Sequence, residues 1–470
     1  MKLFNTLTKN IDEVRPLDGK TVRIYSCGPT VYDHSHIGNL SSFIFADTLR
    51  RVIASEYDVK HVMNFTDVDD KTIRRSKEEG KGDNPRENLE KLTEKYGAIF
   101  LEDMASIGND TSSMTFVKAT ESIEEMQALI TALHQAGFAY VADDGVYFSI
   151  AKYRESGKKY GQLLEITEAS TSEARIQNDE YDKDSVHDFA LWKVKKEGEP
   201  AWEFALDGHS LEGRPGWHIE CSAMSKGALG QPFDIHTGGI DLIFPHHENE
   251  IAQSTALTDS PVMASIFAHN GHLFIDCKKM SKSLNNFYTL EDVAKKGLDP
   301  LALRLLVLQS HYRSEANFTW EILQAAQNSL KRLEAWADLR HQTTIQDMPE
   351  DLDNLWGETL SGMKEDLNND LNSPQALAKL YKLVTYMENI QIPAIDGKNT
   401  NGALATIDQL FGLHLDGRPD ITNEQKDLIK QRDEARTNKD FDGSDRLRIE
   451  LEQQGLLVRD TPHGPVWSRI

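Results

Sequence analysis

Apolar residues first gather in the run Thr21-Val-Arg-Ile-Tyr-Ser-Cys27, which Gly28-Pro29 ends abruptly. A short apolar run bounded by breakers predicts a buried strand. After a loop to Asn39, the segment 40–53 sets Phe43, Ala46, Leu49, Arg50 and Ile53 near a 3.6-residue spacing, which predicts a helix. Residues 59–66 read as a second strand. Strand, helix and strand make a βαβ unit, and ligands of such sheets sit beyond the carboxyl ends of the strands. Cys27 and the run Thr66-Asp-Val-Asp-Asp-Lys71 both fall at such ends.

Residues 85–180 read as largely helical and polar, with one β-like segment at 145–150, and look like an insertion between two sheet halves. Sheet signals return at 233–236 and 272–276. Helical patterns then cover 301–310, 320–340 and 352–371, and Ser373-Pro374 offers an N-cap and a first-turn proline for another helix. Polar linkers at 393–402 and 415–422 precede a charged helix over 424–438 and a small α/β tail from Phe441. The expected architecture is a doubly wound, Rossmann-type parallel α/β domain with an insertion, then an α-helical bundle and a small C-terminal α/β module. The expected boundaries are 1–115 and 206–300 for the two halves of the sheet domain and 116–205 for the insertion. The bundle follows over 301–415 and the module over 416–470.

Composition narrows the class. With 39% apolar and 27% charged residues in 470, the chain suits a soluble globular protein. No apolar run approaches the roughly 18 residues of a membrane span, and the first ten residues lack the apolar stretch of a secretory signal. Three cysteines, an odd number, argue for a reducing cytoplasm over a disulfide framework. A net charge of −23 disfavours indiscriminate polyanion binding, but a local basic face remains compatible with nucleic acid.

The candidate chemistry lies in four short segments. Cys27 ends the first strand, and Cys221 ends Gly216-Trp-His-Ile-Glu-Cys221. Phe244-Pro-His-His-Glu-Asn-Glu250 offers His246 and Glu250 on one helical face if Pro245 opens a helix, with His247 as the competing imidazole. Two thiolates, an imidazole and a carboxylate suit tetrahedral Zn2+. His34, His36, Gly38 and Asn39 stand immediately before a helix, where free backbone N–H groups attract phosphate. Lys278-Lys-Met-Ser-Lys-Ser283 follows the strand ending at Asp276 and could grip a polyphosphate.

Taken together, His36-Ile-Gly-Asn39 and Lys279-Met-Ser-Lys-Ser283 resemble the paired signature of class I aminoacyl-tRNA synthetases. With the segments around Cys27, Cys221 and His246, with His311-Tyr-Arg-Ser314 and with Gly464-Pro-Val-Trp467, the whole chain resembles the cysteinyl-tRNA synthetases. The resemblance implies one active-site zinc on Cys27, Cys221, His246 and Glu250. It implies ATP with Mg2+ near His34, His36, Gly38, Asn39, Gly239, Asp241, Lys279 and Lys282, of which His36, Lys279 and Lys282 act in catalysis. Gly28, Thr30, Trp217 and His236 are expected at L-cysteine. Arg436, Phe441, Asp445 and Asp460 of an anticodon-binding module are expected at tRNA(Cys). A monomer is expected. The signature departs from the family at Asn39, where histidine is commonest, and at Ser41-Ser42, where Arg-Thr is frequent; Cys277 has no assignable role. Two other readings remain open: a paralogue joining cysteine to an amino-sugar, which would lack the anticodon module, and a non-catalytic RNA-binding paralogue.

Overall fold

The computed structural model describes residues 1–165, 188–278, 286–342, 352–389, 397–461 and 464–470. Strand β1 (Thr21–Ser26) is the centre of a five-stranded sheet because its side chains are buried on both faces from Ile24 to Ser26. Helix α1 (Ile37–Ile53) follows, then β2 (Asp58–Phe65) and β3 (Met114–Lys118). Strands β4 (Ala139–Ala142), β5 (Gly145–Phe148), β6 (Phe189–Val194) and β7 (Gly213–Pro215) form a separate antiparallel sheet in the order β7-β6-β5-β4. The chain then returns through α2 (Trp217–Leu229), β8 (Phe233–Gly239), α3 (Glu248–Thr255) and β9 (Ala264–Asn270). The main sheet runs β9-β8-β1-β2-β3, with every pair parallel. The β1–α1–β2 unit is thus the one the periodicity predicts.

Several expectations change. The strand Met114–Lys118 closes one edge of the main sheet within a stretch expected to be helical, and the 115/116 boundary falls inside it. Its residues are exposed or only partly buried, so it lacks the apolar signal of a central strand. The last strand of the sheet is Ala264–Asn270, whereas Leu273–Ile275, within the expected 272–276, lies in a separate two-stranded sheet. Gly397–Phe411 is a helix where a polar linker was expected from 393 to 402.

By contacts the chain divides into two units: Met1–Lys295 with Tyr312–Asn317, and Lys296–His311 with Phe318–Ile470. The second unit holds helices α4 (Pro300–Leu308), α5 (Trp320–Ala337), α6 (Leu352–Asn368), α7 (Ser373–Asn389) and α8 (Gly397–Phe411). It ends with α9 (Asn423–Thr437), α10 (Phe441–Gln453) and the hairpin β10 (Leu456–Thr461) and β11 (Gly464–Arg469). Ile421, Ile429, Leu451, Leu456 and Trp467 form a small core of their own. Asp338, fully buried, receives Arg418 Nε at 2.9 Å and Arg469 Nη1 at 2.6 Å, one arginine from each end of this module. The Gln342 side-chain amide pairs with the Trp467 backbone, its Nε2 donating to Trp467 O at 2.9 Å and its Oε1 accepting the Trp467 N–H at 3.1 Å. Among the described residues, no helix is long and apolar enough to cross a membrane.

One buried histidine of the main sheet sets a pH limit. Burial, then the charge of Arg50, pushes His61 from 6.5 to about 3, and its Nε2 shares a 2.8 Å hydrogen bond with Ser26. The unfolded chain takes up this proton below its ordinary value while the native state refuses it, so stability falls as pH drops from 6.5 towards about 3. Urea midpoints should therefore fall between neutral and about pH 5, and fall less steeply in a His61→Gln variant.

Candidate metal centre and active site

Three carboxyl-end features of the main sheet converge. Cys27 leaves β1, Cys221 lies in the second turn of α2, and Glu250 lies in the first turn of α3. The sequence around Pro245 folds differently from a simple first-turn proline. Phe244 is extended, at φ −139° and ψ 132°, and the regular helix begins only at Glu248. The residues from Pro245 onward still turn helically, so His246 and Glu250 face each other across one turn, Nε2 to Oε1 at 3.0 Å.

Cys27, Cys221, His246 and Glu250 place one ligand atom each within 4.8 Å of all the others. Cys27 Sγ lies 3.9 Å from Cys221 Sγ and 3.8 Å from Glu250 Oε1. Donors bound tetrahedrally at zinc distances of 2.0–2.3 Å would lie about 3.3–3.8 Å apart, so the spacing fits. The electrostatics fit as well. Burial pushes the Cys27 thiol well up, and Cys221 and Glu250 add to it. At Cys221 a hydrogen bond with Cys27 pulls downward, but burial and the Glu250 carboxylate outweigh it and the thiol is also raised. Burial holds His246 well below its usual range, as a neutral imidazole. Two crowded thiols, a neutral imidazole and a carboxylate are the donors that a soft or borderline cation would relieve.

A second grouping, Cys27, His236, His247 and Glu250, also meets the distance criterion. Its imidazoles have other work. His247 Nε2 lies 3.2 Å from Cys27 Sγ while its Nδ1 meets His269 Nε2 at 2.8 Å, and His269 Nδ1 meets Thr6 Oγ1 at 2.7 Å. His236 Nε2 meets Glu250 Oε2 at 2.9 Å and its Nδ1 meets Tyr25 O at 3.2 Å. His236, expected at the substrate cysteine, is fully buried with both ring nitrogens engaged, one of them by the Glu250 carboxylate. No motif marks His269 or Thr6; they meet this site because β9 carries His269 beside both Thr6 and His247.

Of the other residues expected at cysteine, Trp217 and Gly28 adjoin these donors. Trp217, the first residue of α2, stacks on His246 with ring centres 4.1 Å apart and planes at 22°. Gly28 donates its N–H to Asn64 Oδ1 at 2.8 Å, and a Cβ there would stand 1.7 Å from Asn64 O. Only glycine allows that approach. Thr30 bridges Thr66 in parallel register.

The phosphate motif is more occupied than its sequence suggests. His36 is the N-cap of α1, and its Nδ1 accepts the Asn39 N–H at 3.0 Å. Ile37 N donates to Tyr288 O at 2.9 Å, and the His36 ring meets Phe287 edge-on at 5.3 Å. Two of the first-turn N–H groups expected to be free for phosphate are therefore engaged. The same contacts bring the residues just after the lysine motif onto the signature loop. Lys279 and Lys282 themselves lie outside the described residues. Ser41 Oγ donates to Gly38 O at 2.7 Å, which turns this departure from the family pattern back onto the loop. His34 meets the ring of Tyr96 edge-on at 5.7 Å. Gly239 ends β8, and any Cβ there would lie 2.4 Å from the exposed Asp241 carboxylate.

In the C-terminal module, Phe441 is 62% exposed at the start of α10. Asp460 is clamped by buried Arg432 at 2.7 and 2.9 Å and meets Arg436 at 3.1 Å. The hydrogen bond from Arg432 holds the Asp460 carboxyl below its usual range. Asp445 is exposed, 3.9 Å from Arg448. Asp460, expected to reach a base edge, thus already spends both oxygens on arginines.

Comparison with known proteins agrees with this geometry. The family described as the tRNA synthetases class I (C) catalytic domain matches residues 13–328, and the cysteinyl-tRNA ligase anticodon binding domain matches 418–467. Proteins named cysteine–tRNA ligase from Koribacter versatilis and Geobacillus thermodenitrificans are 37% and 40% identical, with 100% of this chain and 99% of each relative covered. Among solved structures, a Mycobacterium tuberculosis methionyl-tRNA synthetase with methionyl-adenylate superposes with a TM-score of 0.57 at 14% identity, over 83% of this chain and 92% of that one. That likeness is one of fold. A parallel sheet carrying the first signature loop, a C-terminal module of matching type and full-length similarity lead to one assignment: the chain belongs to the cysteinyl-tRNA synthetase family of class I aminoacyl-tRNA synthetases.

Proposed function

We propose that this chain activates L-cysteine with ATP and transfers it to the terminal ribose of tRNA(Cys), selecting the amino acid at the buried Cys27, Cys221, His246 and Glu250 cluster. The converged donor set is the observation that carries this reading. These four residues would hold one zinc ion, which supplies a soft Lewis acid that prefers a thiolate to a hydroxyl. Trp217 packs on His246 and walls one side of the pocket, while Gly28 and Thr30 bring backbone close to the bound amino acid. A carboxylate is already a nucleophile, so its attack on the α-phosphorus of ATP needs no general base. Pyrophosphate leaves with its Mg2+, and the loop groups His34, His36, Gly38 and Asn39 with Lys279 and Lys282 meet the charge that builds up on the phosphates. Gly239 leaves room for the ribose and Asp241 accepts its hydroxyl hydrogens. The terminal ribose hydroxyl of the RNA then attacks the cysteinyl adenylate. Three free cysteines support a reducing, cytoplasmic setting.

Arg436, Phe441, Asp445 and Asp460 form the face offered to the anticodon, with Phe441 free to stack on a base. Arg432 holds Asp460 in place from beneath. Arg432→Met should lower the kcat/KM for charging RNA by the equivalent of about 1–3 kcal/mol, the size of a lost base contact, and leave cysteine-dependent pyrophosphate exchange unchanged.

The proposal as a whole is tested by metal analysis and substrate choice on the unaltered protein. About one zinc per chain is expected, with pyrophosphate exchange driven by cysteine and hardly by serine. A metal-free chain that still prefers cysteine would remove the basis of the reading.

A further inference from the structure

The polypeptide from Tyr153 to Leu163 is tied to α3 and to the turn that follows it. Tyr153 Oη and Thr255 Oγ1 share a 2.7 Å hydrogen bond, Lys158 Nζ donates to Thr258 O at 2.7 Å, and Tyr160 Oη donates to Asn249 Oδ1 at 2.5 Å. Glu248 makes the densest tie. Its Oε1 accepts the N–H groups of Gly161 at 2.6 Å and Gln162 at 2.8 Å, and its Oε2 accepts that of Leu163 at 2.9 Å. Glu248 is 1% exposed and stands between the metal-donor candidates His246 and Glu250.

The place of this clamp matters because α3 has little of its own to fix its start. It is eight residues long, no side chain caps it, and the extended Phe244 interrupts the helical path just upstream. The His246–Glu250 pair spans that junction, so their separation depends on how the first turn is held. Three N–H groups on one buried carboxylate are charge-assisted hydrogen bonds, and removing any of them leaves a buried donor unpaired.

We propose that Glu248 is a positioning residue of the metal centre: the strap at 160–163, gripping its carboxylate, sets the register of α3 and so the affinity of the donor set for zinc and the binding of the substrate thiol. The inference rests on the zinc reading above. Residues that orient ligands from outside the coordination sphere typically contribute 10- to 100-fold in metal affinity.

Glu248→Gln tests it with almost no change of shape. The amide oxygen can still accept two N–H groups, but the amide nitrogen would face the third as donor against donor. In competition with a chromophoric chelator, zinc should bind about tenfold more weakly or worse, and the KM for cysteine should rise more than that for ATP. Tyr153→Phe, which cuts a tie at the far end of the same strap, should lower thermal stability and leave zinc affinity unchanged. If Glu248→Gln does not accumulate as folded protein, Glu248→Asp keeps the charge but withdraws it from the strap, and should also weaken zinc. A Glu248 variant that is less stable but binds zinc like the unaltered chain overturns the proposal alone. An unaltered chain that takes up no zinc overturns the metal reading and this proposal with it.

Discussion

Replacing Cys221 with serine should empty the zinc site and lower cysteine-dependent pyrophosphate exchange by about a hundredfold or more, at least the upper range for loss of a residue that merely orients a ligand. A serine hydroxyl stays protonated where a cysteine beside a divalent cation gives up its proton, so the cluster would lose one of its two anionic sulfur donors. The remaining thiol, Cys27, is already pushed up by burial and by the Glu250 carboxylate, which makes a partial site hard to ionise. Selectivity should fall with affinity. A pocket without metal separates substrates differing by one small group only about 10- to 200-fold. Metal content by atomic absorption and exchange rates with cysteine and serine measure both effects. Full zinc occupancy in Cys221→Ser would show that His236 and His247 complete the site instead.

Lys282→Ala should slow adenylate formation by about 10²–10³ while the KM for ATP changes little, the pattern expected when a charge meets the transition state more than the ground state. Lys279→Ala should act in the same direction. The structure contributes the neighbourhood: Phe287 and Tyr288, a few residues downstream, touch His36 and Ile37 of the other signature loop. Single-turnover pyrophosphate exchange separates the two cases, since a variant with normal exchange and raised KM for ATP would make the lysine a binding group only.

Much of the first unit could be read in the sequence, and the residues that could not share a physical cause. The strand at 21–26 and the helix after it are buried in one continuous stretch, so their apolar spacing is unmistakable. Met114–Lys118 is an edge strand with no fully buried side chain, and periodicity has little to register there. Ala264–Asn270 is nearly all buried, yet it ends in His269 and Asn270, whose polarity masks a strand end that meets His247 beside the candidate donors. The four metal-donor candidates were legible because Cys27, Cys221, His246 and Glu250 sit in recognisable segments. The tasks of His236 and His247 were not, because they depend on which imidazole nitrogen meets which neighbour across strands distant in sequence. In the second unit, Arg432 is one of many charged residues of its helix, and nothing in the sequence marks it as buried. Its burial comes from packing beneath Asp460, a contact 28 residues away.

The pair of arginines on Asp338 bears on how this chain can be cut and recombined. Residues 418–470 look like a cassette, but a protein ending near Arg418 would lose Arg469 from a fully buried carboxylate and Trp467 from Gln342. Part of any loss of RNA charging would then come from damage to the helical neighbour rather than from lost recognition. Point changes on the exposed face report on the anticodon more cleanly than deletion. A chimera that borrows this module from a relative should carry the segment from Asp338 to Gln342 along with it, so that donor and acceptor travel as one inherited unit.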